Sequence, residues 1–267
     1  DHLDIYGTKK AYLESFEHYT ELIQPGGALI IHTGLEIKPC VQTGVTTYTY
    51  SRDEGDFHAE NIIIDNGNIS FDFISPLEDV PHIVLGQPIP INIENGIAAM
   101  AMSQLNGCSP EELRYGMKTY SGVDRRFDFK IKNDHQVFLS DYGHHPKEIL
   151  QCAKSLRELF KGRKISVIFQ PHLYTRTRDF YKDFAASLSH FDEVILTEIY
   201  PAREQPIPGI TSKLIYDNLK EGVTKEIIKK DEVLDFVKEH NFDVLVVLGA
   251  GDLDNYSPQI KKILEEK

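Results

Sequence analysis

The 267-residue sequence predicts an α/β protein whose second half is a mainly parallel sheet covered on both faces. Two observations carry this expectation. After Arg126, short apolar segments at 136–139, 165–169, 193–197 and 244–248 alternate with longer helical patterns near 146–160, 176–188, 211–219, 231–240 and 257–265. Strands that are apolar on both faces, separated by helices of that length, are the pattern of a parallel sheet with helices on each side. The first half lacks this alternation and mixes helices with β-hairpin signals. The boundary is therefore expected near 122–124, giving a first domain over 1–124 and a second over 125–267.

In the first half, apolar and aromatic residues at 12, 13, 16, 19, 22 and 23 keep helical spacing, and Pro25-Gly26-Gly27 ends the pattern. Ala28 to His32 reads as a short buried strand. Val45 to Phe73 alternates in polarity and contains Asn66-Gly67, a strong hairpin signal, so antiparallel strands are expected there. Pro88-Ile89-Pro90 precedes a helix from near Asn92 to about Leu105, stopped by Gly107. Ser109-Pro110-Glu111-Glu112 opens another, with a capping serine, proline at the first helical position and acids in the first turn.

Hydrophobic residues make up 41 % and charged residues 26 % of the chain, enough apolar surface for ordinary cores. A formal charge of -12 with basic residues scattered singly or in pairs excludes nucleic acid as an expected partner, since phosphate contacts need clustered Lys and Arg. Cys40, Cys108 and Cys152 have no metal-ligand spacing and form no disulfide framework, which suits a reducing cytosol. No apolar run approaches the ~20 residues of a membrane span, and Asp1-His2-Leu3-Asp4 is no signal peptide. A cytoplasmic protein without a membrane partner is expected. The chain opens inside what reads as a motif, so a longer parent is expected too. Nothing in the sequence selects an oligomeric state.

In a parallel sheet, ligands bind at the loops leaving the carboxyl ends of the strands. Four such loops here are polar: Ser140-Asp141-Tyr142-Gly143-His144-His145, Gln170-Pro171-His172-Leu173-Tyr174-Thr175-Arg176-Thr177-Arg178-Asp179, Glu198 to Glu204, and Gly249-Ala250-Gly251-Asp252. Together they form an expected pocket for carboxylate and phosphate groups, because Arg binds both in bidentate fashion and helix N-termini add positive charge. Asp141, Tyr142, His144, His172 and Arg176 are its candidates. His145 reads equally as the start of a helix, Arg178-Asp179 as a surface pair, and the glycine loop as a tight turn. Asn92 and Asn95, three apart on one helical face, suit either an adenine edge or, for Asn92, helix capping. Arg125-Arg126 would clamp phosphate at the domain junction or form a surface basic pair. His2, between two acids, suits divalent-cation or phosphate handling or a solvated end.

The run Asp141-Tyr142-Gly143-His144-His145-Pro146, followed by Gln170-Pro171-His172 and Arg176-Thr177-Arg178-Asp179, resembles the Mur ligase family in its L-alanine-adding branch. Asp1-His2-Leu3-Asp4, the Asn92/Asn95 pair, Arg125-Arg126-Phe127-Asp128 and Gly249-Ala250-Gly251 fall in the same order. The resemblance implies a Rossmann-like C-terminal domain preceded by the later part of a mixed α/β ATPase domain. It implies ATP-dependent ligation of L-alanine to UDP-N-acetylmuramate in peptidoglycan synthesis. ATP phosphorylates the muramyl carboxylate, the alanine amine attacks the acyl phosphate, and phosphate leaves. By matching position, His2 would bind Mg2+. Asn92, Asn95, Arg125, Arg126 and Asp141 would serve the nucleotide, and Tyr142, His144, His172 and Arg176 the substrates, with His144, His172 and Arg176 catalytic. Leu173 stands where many relatives have Arg, Ser140 where Asp is common, and Ile91 where His often precedes the first Asn. The sequence contains no G-x-x-x-x-G-K-[ST], so this chain alone is expected not to turn over. Two other readings are a non-catalytic ligand-binding α/β module and a metallohydrolase built on His144, His145 and His172.

Overall fold

The computed structural model describes the backbone from Leu3 and the side chains from Ile5, through to Lys267; His2, the expected metal ligand, lies outside the described residues. The chain divides into two compact units: residues up to 63 with 68–120, and 64–67 with 121–267. The main division thus follows Tyr120, and a short piece around Asn66-Gly67 groups with the second unit.

In the first unit, α1 (Leu3–Tyr6) and α2 (Lys9–Glu21) are followed by β1 (Ala28–His32) and β2 (Thr46–Tyr50). Thr8 caps α2, its hydroxyl accepting from Ala11 N at 3.1 Å. β2 pairs in parallel with β1, whereas its alternating residues suggest an antiparallel partner. Polarity alternation is the same in both kinds of sheet; the connection over 33–45 reaches the roughly one dozen residues that a parallel crossover needs. β3 (His58–Asp65), β4 (Asn68–Ile74) and β5 (Val80–Val84) form a second sheet in that order. The β3–β4 turn is the expected Asn-Gly hairpin, with positive φ at Asn66 (40°) and Gly67 (74°). β5 escaped the sequence reading because Pro81 argues against a strand; it is an edge strand, where proline is tolerated. α3 (Ile91–Leu105) and α4 (Pro110–Thr119) complete the unit. Phe57, Phe71, Phe73, Ile83, Ile93, Ile97 and Met100 are essentially fully buried and form its core.

The second unit runs β6 (Asp128–Lys132), β7 (Val137–Asp141), α5 (Pro146–Leu159), β8 (Ile165–Phe169), α6 (Tyr174–Leu188), β9 (Glu193–Leu196), α7 (Lys213–Asn218), β10 (Thr224–Ile227), α8 (Val233–Glu239), β11 (Val244–Leu248) and α9 (Ser257–Glu265). The sheet order is β10-β9-β8-β11-β7-β6, parallel throughout except that β6 runs antiparallel to β7. β6 (DFKIK) and β10 (TKEI) lie at the two edges, and their charged residues, suited to edges, hid them from an apolar-run search. The steps β7 to β8 to β9 to β10 all advance one way, so right-handed crossovers place α5, α6 and α7 on one face. The return to β11 places α8 on the other, where it packs with α9.

This topology decides where a ligand site can form. Strand β11 sits between β8 and β7, and its outgoing chain leaves for the opposite face from theirs, which opens the crevice of a topological switch point. The register aligns Asp141, Leu248, Phe169 and Leu196 across four adjacent strands. The four polar loops therefore leave the sheet at one level.

Candidate functional site

The loop after β7 is built on Asp141. Its Oδ1 accepts from Gly143 N (2.8 Å) and its Oδ2 from Phe127 N (2.8 Å). Burial holds its carboxyl above the usual carboxylate range, opposed by those two amides and by Arg126. Both oxygens thus accept from backbone amides, and Asp141 shapes the loop. Tyr142 N donates to Arg125 O at 2.7 Å, and the Tyr142 ring receives the guanidinium groups of Arg125 (4.7 Å) and Arg126 (5.4 Å).

Arg125 reaches the turn after β11. Its Nη2 donates to the carbonyls of Gly249 and Gly251, both at 3.1 Å, and its Nε pairs with Asp254 Oδ2 at 3.3 Å. These contacts close the glycine turn after β11, while Nε is buried without a hydrogen bond among the described residues. Asp254, which the sequence reading passed over, ties this turn together by accepting from the hydroxyls of Ser140 (2.5 Å) and Ser257 (2.9 Å). No local signal could have found it, because one partner lies over a hundred residues away.

His145 is the helix start: its Nδ1 accepts from Lys147 N, and Glu148 accepts from the amides of His144 (2.9 Å) and His145 (3.1 Å). Burial would raise the Glu148 carboxyl, but these amides and His144 outweigh it and hold it below its ordinary range. His144 turns Nδ1 toward Tyr142 O at 3.0 Å, which places the proton of a neutral ring on that nitrogen. Its ring lies 5.9 Å from that of His172, centroid to centroid.

His172 and Arg176 follow β8. The His172 ring stacks on Tyr200 at 5.7 Å and 22°. Burial, then Arg176, then His144 push its pKa below the ordinary value. Its Nδ1 and the Nη1 of Arg176 are buried without a hydrogen-bond partner among the described residues. Buried polar atoms without a partner are rare in folded proteins and ask for one from outside the chain. Arg178 and Asp179 form an exposed pair (2.7 Å), the surface reading. Among the described residues, no group of three or more His, Cys, Asp or Glu is placed to hold a metal ion, which leaves the metallohydrolase reading without support.

In the first unit, Asn92 lies inside α3 and does not cap it; Pro90 holds the cap position. Asn92 Nδ2 donates to Gln87 O (3.1 Å) and Asn95 Nδ2 to Asn92 Oδ1 (3.2 Å). Both line a largely apolar pocket of about 450 Å3 with Leu85, Ala99, Met100 and Met117.

Residues 125–251 match the Mur ligase, glutamate ligase domain family. Over all 267 residues the chain is 64 % identical to the UDP-N-acetylmuramate--L-alanine ligase of Phocaeicola vulgatus, covering 58 % of that relative. It is 53 % identical to the enzyme of the same name from Parabacteroides distasonis, over 99 % of this chain and 57 % of that one. Among solved structures, the UDP-N-acetylmuramate-alanine ligase of Thermotoga maritima superposes with a TM-score of 0.76 at 23 % identity, over 100 % of this chain and 57 % of that one. A folylpolyglutamate synthase from the same organism gives 0.63 over 82 % of this chain and 48 % of that one, at 20 % identity. The chain thus spans a little over half the length of the curated relatives it matches.

Proposed function

We propose that the chain is part of a Mur ligase, the family whose model matches residues 125–251, and that it supplies the amino-acid and phosphate-handling part of an ATP-dependent ligation of L-alanine to UDP-N-acetylmuramate, the reaction its similar relatives are named for. The observation that carries this reading is the pair of buried nitrogens without a hydrogen-bond partner, His172 Nδ1 and Arg176 Nη1, beside His144. A carboxylate or phosphate oxygen is the ligand that the Arg176 N–H would complete. The two curated relatives act, by name, on UDP-N-acetylmuramate and L-alanine.

In this reading Arg176 supplies a permanent cation where negative charge builds on the reacting acyl and phosphoryl oxygens. His172, its pKa depressed, is neutral at neutral pH and able to accept a proton from the incoming amine. Tyr142, held under Arg125 and Arg126, walls the site. Asp141 and Arg125 position it from behind without touching substrate. Asn92 and Asn95, beside an apolar pocket, fit the edge of a planar heterocycle such as adenine. ATP, when bound, provides the phosphoryl group that activates the carboxylate. Magnesium is proposed only as the companion of ATP, with His2 the residue the resemblance assigns; among the described residues no group of three or more His, Cys, Asp or Glu is placed to hold a metal ion, and no step here passes through the ion.

The test is L-alanine-dependent phosphate release from ATP with UDP-N-acetylmuramate, comparing this chain with the longest product of its gene. Activity in the longer product, none in this chain, and a loss of roughly 10²-fold or more in kcat/KM for Arg176→Ala are expected. A longer product that binds nucleotide yet releases no phosphate would leave a binding module as the function.

A further inference from the structure

We propose that Glu204, on the loop after β9, is a positioning residue for the site: it caps the N-terminus of α6 in place of Leu173 and thereby holds Arg176 and His172 toward the substrate anion. This rests on the role given above to Arg176 and His172.

A helix leaves its first backbone amides unpaired, and a Ser, Thr, Asp or Asn side chain at the cap usually meets them. α6 has Leu173 there, which makes no side-chain cap bond. Glu204 replaces it from a distance. Its Oε2 accepts from Thr175 N at 3.0 Å, its Oε1 from the Thr175 hydroxyl at 2.5 Å, and the Tyr174 amide also draws on it. These hydrogen bonds, the Thr175 hydroxyl foremost, hold the Glu204 carboxyl below its ordinary range. The ionised carboxylate also sits at the positive end of the helix dipole.

The backbone around it is strained in a way that needs such a clamp. Leu173 has φ 72° and ψ 134°, and Ala202 has φ 49°. Non-glycine residues stay in that region only where the surroundings over-determine them. Here Leu173 N donates to Tyr200 O (3.0 Å), Tyr200 N to Pro171 O (2.8 Å), and Glu204 N to Pro201 O (2.9 Å). The His172 ring stacks on Tyr200. The loops after β8 and β9 are thus laced into one piece, with Glu204 as its side-chain link to α6 at Thr175, two residues from Leu173 on one side and one from Arg176 on the other.

The test uses Glu204→Ala and Glu204→Gln, the latter keeping one acceptor oxygen. In the longest product of the gene, kcat/KM for L-alanine should fall roughly 10- to 100-fold in Glu204→Ala, less in Glu204→Gln, with the KM for ATP little changed. In this chain, followed by NMR, the Thr175 amide should exchange about tenfold faster, and His172 should titrate at lower pH, since Glu204 opposes the depression caused by burial, Arg176 and His144. If Glu204→Ala does not fold, Glu204→Gln carries the test alone. Unchanged exchange and titration would overturn the capping role, and moved signals with unchanged kcat/KM would overturn the positioning role. Moved signals in a protein whose wild-type long form releases no phosphate would uphold the cap while removing the ligation reading.

Discussion

Gly249 and Gly251 show how a short glycine turn becomes a constraint once its neighbours are known. Gly249 holds φ 142°, and a Cβ there would stand 2.8 Å from Gln170 O. A Cβ on Gly251 would overlap Gln170 Oε1 and come within 3.0 Å of Tyr200 Cβ. The Gln170 amide cannot retreat freely, because Oε1 accepts from Leu253 N (3.2 Å) and Nε2 donates to Asp252 Oδ1 (3.1 Å). Gly251→Ala should therefore destabilise the second unit by about 1–3 kcal/mol. Urea unfolding measures this; a cost below about 0.5 kcal/mol would mean that Gln170 moves aside freely and the glycine serves only the turn. The same logic applies to Asp141 and Arg125: residue type announced polarity, and only the fold supplied their backbone partners.

At the scale of elements, α4 tests the local reading and α3 the long-range one. Ser109 accepts from Glu112 N (3.3 Å) while Glu112 accepts from Ser109 N (2.8 Å), a complete capping box. Ser109→Ala should cost about 1 kcal/mol, seen as a lower urea midpoint with unchanged slope. The first turn of α3 is tied instead by Glu94 to His32 at the end of β1. The hydrogen bond to Glu94, against partial desolvation, raises the His32 pKa above 6.5. The folded state thus holds this proton more tightly than the unfolded chain. Its stabilisation is fully present below the unfolded value of about 6.5 and is lost as pH rises through the folded value. The stability gap between wild type and Glu94→Gln should then be widest near pH 5.5 and narrow by pH 8.5. A gap that does not vary with pH would show that the pair carries no linked proton.

For the molecule as a whole, the three free cysteines report on burial. Cys40 is exposed, Cys108 intermediate and Cys152 buried. Burial, with a contribution from Asp141, pushes the Cys152 thiol well above its ordinary value, so it is protected twice, by access and by protonation. A thiol reagent should modify Cys40 in the native protein and reach Cys152 only when the second unit opens, as mass spectrometry over time would show. Labelling of Cys152 at the rate of Cys40 would contradict the buried packing of α5 against the sheet. Faster Cys152 labelling in Gly251→Ala would tie the turn to the stability of that unit.

The alternation of apolar strands and helices, the Asn66-Gly67 hairpin, the capping box at Ser109 and the order of polar loops were all legible in the sequence, because each depends on periodicity or on residues within a few positions of one another. The edge strands β6 and β10 were not, since edge positions favour the charges that disguise a strand. Nor was the parallel pairing of β1 with β2, which polarity alternation leaves undecided. Tertiary structure alone decided which polar side chains remain available to a ligand. Arg125 Nη2, Asp141 and His145 form hydrogen bonds with backbone, while His172 Nδ1 and Arg176 Nη1, like Arg125 Nε, are buried without a hydrogen bond among the described residues. The partners that settle this, such as Asp254 for Ser140 and Glu204 for Thr175, lie far away along the chain. Local sequence patterns carry no trace of such pairs; only the alignment of strand ends brings them together.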